Sequence, residues 1–210
     1  MWSILEKLDN QMKRTARYGH RFRSTKALTI ALHERDEHTR HHCDRVVMLA
    51  EALGRALGIS KFDMDELRLC ARFHDVGKIG IPDAILLKES RFDDQEWEFM
   101  KTHSEKGERI IKATTLPGAD KIAKVIRHHH ENYDGSGYPD GLRAEAIPFL
   151  SQIVALVDAY DAMRSVRPYR QARSKDEVMS ILDSESGWKF APAIFEKFPA
   201  IVEKLSPRYS

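Results

Sequence analysis

Five segments of this 210-residue chain carry an apolar stripe at helical spacing that runs into a histidine or an aspartate. A face that packs inward takes its polar residues inward with it, and buried imidazoles and carboxylates need partners. Asp63-Met64-Asp65-Glu66 matches a capping box that starts a helix, whose stripe of Leu67, Cys70 and Ala71 leads to His74 and Asp75. Ile122, Val125 and Ile126 lead to His129 and His130, whereas His128 falls off that face. Val46, Leu49, Ala50 and Leu53 project back one turn to His42 and another to His38. Phe99 and Met100 precede His103, and Leu150, Val154 and Val157 lead to Asp158 and Asp161. The inward candidates are therefore His42, His74, Asp75, His103, His129, His130 and Asp158.

Taken singly, His42 or His103 reads as a hydrogen-bonded core residue. Asp158 follows the all-apolar run 153–157, where an unpaired carboxylate costs several kcal/mol; alone it reads as half of a buried pair with an arginine. Taken together, such residues on separate helices can offset one another's burial through shared divalent ions. Seven ligands exceed what one four-coordinate site with an open position uses, so two metals is the simpler count.

A composition of 42% hydrophobic and 31% charged residues suits one sizeable soluble domain, and a net charge of +2 gives no reason to expect binding to a nucleic-acid duplex. Cys43 and Cys70 fall within expected helices and form no CxxC pair, which fits buried thiols in a reducing compartment. No apolar stretch is long enough to span a bilayer and no signal-peptide core is visible, so the expected location is cytoplasmic. Charge is unevenly placed: residues 1–26 hold Lys7, Lys13, Arg14, Arg17, Arg21, Arg23 and Lys26 against Glu6 and Asp9. Met1, Leu5, Leu8 and Met12 recur there at helical spacing. This segment reads as a short helix packed on the domain, as a homodimer contact or docking face for an acidic partner, or as a membrane-surface helix.

The expected architecture is all-α, with helices at about 3–16, 27–57, 64–76, 94–102, 104–114, 120–131, 150–165, 175–184 and 192–205, and a minor extended segment near 79–87. One domain, 27–210, follows the basic segment 1–26. Its longest irregular stretch, about 132–147, contains Asp134-Gly135-Ser136-Gly137-Tyr138-Pro139-Asp140-Gly141, too rich in glycine and proline for a helix. It reads either as a surface turn or, since it leaves the His129-His130 helix end directly, as a loop that brings amides and an aromatic ring to the ions.

His74-Asp75-Val76-Gly77-Lys78-Ile79, His129-His130-Glu131, Asp134 through Pro139, Asp158-Ala159-Tyr160-Asp161-Ala162-Met163 and Pro168-Tyr169-Arg170 occur in this order, and Thr39-Arg40-His41-His42 with Arg45 precedes them. Over about 27–205 the chain resembles the HD-GYP family of metal-dependent phosphodiesterases. The resemblance implies an HD-domain helical bundle of bacterial signalling with a dinuclear site in its core. Such an enzyme cleaves cyclic di-GMP to linear pGpG and, in some members, onward to GMP. It further implies two divalent transition-metal ions, iron or manganese, on His42, His74, Asp75, His103, His129, His130 and Asp158, with Asp75 shared. Lys78 would then approach the scissile phosphate, and Gly135, Gly137, Tyr138 and Pro139 would form the substrate-side loop. Arg164, Arg167 and Arg170 read either as phosphate contacts or as solvated charge.

The chain departs from members proposed to hold three metals, since His38 stands where they carry glutamate, with Glu34 one turn earlier. It also has Phe190-Ala191-Pro192 where Phe-Asp-Pro is frequent. The expected chemistry is attack of a metal-bridging hydroxide on phosphorus, in line with the leaving ribose oxygen, with Asp75 and Lys78 as catalytic residues. Two further readings stand beside it. One is a hydrolase of another cyclic dinucleotide such as cyclic GMP-AMP. The other is a non-catalytic module that senses the nucleotide or docks a signalling partner through the Gly-Tyr-Pro loop.

Overall fold

The computed structural model describes residues 27–32, 34, 38–165 and 172–205. Segment 1–26, Arg167, Arg170 and the side chain of His38 lie outside the described residues, and with them the expected N-terminal helix and its homodimer contact. Among the described residues the structure is helical, with one isolated bridge between Ser186 and Phe190 and no strand. No helix among them is long and apolar enough to cross a membrane.

Helix α1 (His38–Ala56) packs on α2 (Lys61–Phe73), and both pack on α7 (Phe149–Arg164). On the other side α5 (His103–Lys112) pairs with α6 (Ala119–Arg127), and α6 rests on α2 and α7. Their shared core is Val46, Leu49, Ala50 and Leu53 from α1, Leu67, Cys70 and Ala71 from α2, Ile122, Val125 and Ile126 from α6, and Ile153, Val154, Leu156 and Val157 from α7. These are the stripes the sequence marks. Each buried leucine or isoleucine contributes about 1.5–3 kcal/mol relative to exposure, which offsets the cost of burying polar groups where the stripes end. The short α3 (Asp83–Leu86) and α4 (Asp94–Lys101) lead into α5, while α8 (Lys175–Glu185), α9 (Pro192–Phe195) and α10 (Phe198–Leu205) close over α7 and α1. There Tyr160 meets Phe198 edge to face at 5.3 Å.

Several boundaries differ from the sequence expectation. The cap of α2 is Ser60, which accepts from the Asp63 N–H at 3.1 Å, so the helix starts earlier than an Asp63 cap implies. Glu66 is therefore no capping residue; it is 1% exposed and pairs with Lys121 at 2.6 Å. Capping boxes form instead at Asp93 and Glu96, opening α4, and at Ser174 and Glu177, opening α8. Residues 79–87 are not extended. A 3-10 turn, Val76–Gly80, is followed by α3, because the Pro82 carbonyl accepts from the Ile85 and Leu86 N–H groups and starts a helical turn. The expected helix at 192–205 divides into α9 and α10, since Pro199 lacks an N–H and is tolerated only in a first turn. Ala191 occupies the N-cap of α9 without a side-chain hydrogen bond, the local consequence of alanine where aspartate is frequent.

Candidate metal centre

Helix ends place the polar cluster. α2 stops at Phe73 and α6 at Arg127, earlier than the stripes suggest, so His74, Asp75, His129 and His130 stand on the turns just beyond. They still face inward: His74 is 1%, Asp75 5% and His129 1% exposed. The Nδ1–H of His74 donates to the Ala71 carbonyl at 2.9 Å, that of His103 to Met100 at 2.8 Å, and that of His129 to Ile126 at 2.5 Å. In every case the acceptor is three residues back, at or near a helix end whose carbonyls lack intrahelical partners. With Nδ1 committed as donor, each Nε2 is left to face the cluster.

Two groups of ligand atoms result. In the first, His42 Nε2 lies 3.2 Å from His74 Nε2 and 3.2 Å from Asp158 Oδ1, and His74 Nε2 is 3.4 Å from Asp75 Oδ2. In the second, His103 Nε2 lies 3.4 Å from His129 Nε2, and the His130 ring centroid is 4.0 Å from that of His129 and 5.0 Å from that of His103. Asp75 joins them, because its other oxygen, Oδ1, is 3.6 Å from His103 Nε2. All seven inward candidates are thus brought together: His42, His74, Asp75 and Asp158 on one side, His103, His129 and His130 on the other.

Electrostatics separates the two groups. Burial alone would raise the Asp75 carboxyl, but Lys78 and His74 outweigh it and hold that group well below the usual carboxylate range. Burial opposes protonation of His42 and His74, yet the neighbouring carboxylates raise both above the ordinary imidazole value, so protons balance charge there when no metal does. Nothing does so in the second group. Burial, reinforced by His103 and His74, pushes His129 down to about 3, and His103 and His130 are also lowered, first by burial. Neutral imidazoles whose Nδ1 atoms carry the proton therefore direct Nε2 lone pairs at one another across 3.4 Å. A divalent cation held by these nitrogens would turn that repulsion into coordination, and in the first group it would take the place of the protons. The donor set fits such ions.

A third set of possible ligand atoms, His128, Glu131 and Asp140, is already satisfied. His128 donates from Nε2 to Asp140 at 2.8 Å, and Arg127 holds both Asp140 oxygens. Glu131, 3% exposed, accepts the N–H groups of Asp140 and Leu142 at 2.8 and 3.0 Å and so folds the glycine-rich loop back on the cluster. Gly137 makes that approach close enough: a Cβ there would lie 2.2 Å from Asn132 N and 2.5 Å from the His130 carbonyl oxygen. Gly135 turns the chain at φ +86°. The Tyr138 N–H donates to the His130 carbonyl at 3.2 Å, and its ring lies 4.9 Å from the His130 ring. Pro139 follows through a cis peptide bond. From the far side the loop is held by the Lys189 and Trp188 carbonyls, which accept from Tyr133 and Asp134.

Asp161 is the residue that inspection of the stripes undervalues. Fully buried, it accepts from Arg45 Nε at 2.6 Å and Nη2 at 2.9 Å, and lies 2.7 Å from His42 Nδ1. The arginine pair considered for Asp158 belongs to Asp161, one turn later on the same face of α7. Asp161 thus does for His42 what the carbonyls do for the rings of His74, His103 and His129. An Asp161→Asn variant is expected to weaken metal binding by about 10- to 100-fold, read by competition with a chromogenic chelator. Unchanged affinity would mean that His42 needs no such support. Arg164 donates from Nη1 to the Arg173 carbonyl at 2.7 Å and, six residues past Asp158, lies on a different side of α7. Glu34 is exposed.

The side chains at the rim, His42, Asp158, His130 and Lys78, are partly exposed, so the cluster opens on that side. Lys78 stands there with Nζ 2.6 Å from Asp75 Oδ2.

Helices that close on two nitrogen-rich groups linked by one carboxylate define a class: all-helical proteins whose core is shaped to hold divalent cations. A family model described as HD domain matches residues 26–194, and the chain belongs to that family. It is 36% identical over 188 residues to "Cyclic di-GMP phosphodiesterase" of Thermotoga maritima, covering 90% of this chain and 51% of that protein. It is 37% identical over 165 residues to "Cyclic di-GMP phosphodiesterase response regulator RpfG" of Xanthomonas campestris pv. campestris, covering 79% and 44%. The chain thus spans about half the length of these relatives. Among solved structures, Bd1817, an HDG"Y"P protein from Bdellovibrio bacteriovorus, shares the fold with a TM-score of 0.64 at 22% identity, over 79% of this chain and 52% of that one.

Proposed function

We propose that this chain hydrolyses a phosphodiester bond of cyclic di-GMP to linear pGpG, using two divalent transition-metal ions, iron or manganese. The carrying observation is the Asp75 carboxylate, with one oxygen toward His74 and the other toward His103, midway between two groups of inward imidazoles. The activity for which the two relatives are named supports the substrate. His42, His74, Asp158 and one oxygen of Asp75 would hold the first ion; His103, His129, His130 and the other oxygen would hold the second. When bound, such a pair lowers the pKa of a shared water and neutralises phosphate charge.

The protein's own part is positioning and charge. Helix-end carbonyls and Asp161 fix the rings, and the apolar stripes behind them exclude bulk water from the floor. Lys78, already beside Asp75 at the open rim, directs its ammonium toward a non-bridging phosphate oxygen. Tyr138 and the turn around Gly135, Gly137 and Pro139 form the wall next to His130. Asp134 and Ser136 are exposed on that loop and offer a face for a signalling partner. The buried free thiols Cys43 and Cys70 suit a reducing cytoplasm.

The decisive experiment incubates metal-loaded protein with cyclic di-GMP, cyclic GMP-AMP and cyclic di-AMP and resolves the products by chromatography, alongside elemental analysis of protein purified without oxygen. Conversion of cyclic di-GMP together with about two metals per chain is the expected outcome; no turnover of any member defeats the proposal. A Lys78→Ala variant is expected to keep its metal and lose about 10²–10³ in kcat, the effect of removing one preorganised electrostatic donor. Loss of metal instead would make Lys78 a structural partner of Asp75.

A further inference from the structure

We infer that Trp97, on α4, is a stacking platform for a nucleobase of the substrate. The inference rests on the phosphodiester reading above and extends it from phosphate to base. From His130 a chain of rings leads outward. Tyr138 lies 4.9 Å from His130, tilted by 30°; Trp97 meets Tyr138 edge to face at 6.2 Å; and Phe92 lies near-parallel to Trp97, 19° apart at 6.4 Å. Trp97 keeps 45% of its surface exposed. A tryptophan placed only to pin α4 to the loop would be expected to bury most of that area, as Tyr160 does against Phe198 at 2% exposure.

Position and charge select the occupant. The indole is one ring beyond Tyr138, which itself touches a residue of the second ligand group, so a base whose own phosphate lies at His130 is within reach. Cations flank the track: Lys101 Nζ lies 5.7 Å over the Tyr138 ring, and Lys78 stands at the rim of the cluster. Flat apolar faces beside ammonium groups and a phosphate site are the chemistry of a nucleotide, because every base offers a π-face and every nucleotide an anion. Stacking of this kind adds affinity without choosing the base. Base choice must then come from hydrogen-bonding groups elsewhere.

The test uses the full chain, loaded with metal, in steady-state hydrolysis of cyclic di-GMP. Trp97→Ala is expected to raise KM by about 10- to 100-fold while kcat stays within about threefold. Trp97→Phe, which keeps a flat ring, is expected to recover most of the loss, and Trp97→Leu, apolar but not flat, to recover little. Equal rescue by leucine, or a loss confined to kcat, would overturn the inference in favour of plain packing. Binding is read separately as quenching of indole fluorescence by cyclic di-GMP in a Trp2→Phe, Trp188→Phe background, where Trp97 is the sole reporter. Quenching without turnover in that protein would count against the phosphodiesterase reading while retaining the platform. Turnover without quenching and with an unchanged KM in Trp97→Ala would do the reverse.

Discussion

An Asp75→Asn variant is expected to keep its fold, to carry less than the parent's complement of metal, and to hydrolyse cyclic di-GMP at least about 10³ times more slowly. The substitution is isosteric, so the turn after α2 has no steric reason to move. What changes is charge and donor pattern. Asp75 has oxygens facing both groups of imidazoles, at 3.4 Å from His74 and 3.6 Å from His103, and also accepts from Lys78 at 2.6 Å. An amide there removes the carboxylate that lies 3.6 Å from His103 and presents N–H hydrogens on one side where a lone pair is needed. On the proposed two-ion reading both groups should therefore lose affinity, unlike the loss of a ligand belonging to one group. Elemental analysis together with the product assay reads both consequences. Full metal content with parental turnover would remove the dinuclear interpretation.

Gly77→Ala is the second large effect, and it acts through the backbone. A Cβ at this position would lie 1.8 Å from the His103 carbonyl oxygen and 2.5 Å from Gly107 N. Neither atom can rotate away. Gly107 costs α5 about 1 kcal/mol relative to alanine as a mid-helix glycine, and its own tight neighbour is Ile126 of α6, whose Cγ2 a Cβ there would meet at 2.8 Å, with Gly77 N next at 3.4 Å. Alanine at 77 must push that turn off α5, separating Asp75 from His103 while straining the core. The expected loss is about 3 kcal/mol or more in urea unfolding, with metal binding impaired even in the folded fraction. Gly80→Ala is the control. It would meet Lys106 Cδ, the movable part of a flexible side chain, at 2.8 Å and should cost about 1 kcal/mol or less. Equal midpoints for the two variants would show that the crossing is softer than its distances imply.

How much of this the sequence reveals follows from which interactions are local. The stripes on α1, α2, α6 and α7 are local, since four residues bring a side chain back to the same face, and six histidine and aspartate side chains at their ends meet in the cluster, whereas His128, off the stripe, is buried too but turns to Asp140. The helix ends are less legible. The stripe through Leu67 and Ala71 continues in projection to His74 and Asp75 although the helix stops at Phe73, because the turn that follows keeps the same side chains inward. Asp63 and Glu66 imitate a capping box, but Ser60 competes for the same N–H and wins, freeing Glu66 to pair with Lys121. Asp161, Glu131 and Gly77 are illegible for another reason. Their importance lies in Arg45, in the Asp140 and Leu142 amides, and in Gly107, partners that only the folded chain supplies. Spacing can suggest that Asp158 and Asp161 share a face, yet not which one takes the arginine.

The ring N–H to carbonyl contacts at Ala71, Met100 and Ile126 reach beyond orientation. Each closes off a peptide oxygen near a helix end and sets the tautomer of an imidazole in one interaction, so a single contact caps the main chain and aims a side chain. Moving one of these helix ends by a residue would therefore turn a ring away as well as uncover a carbonyl.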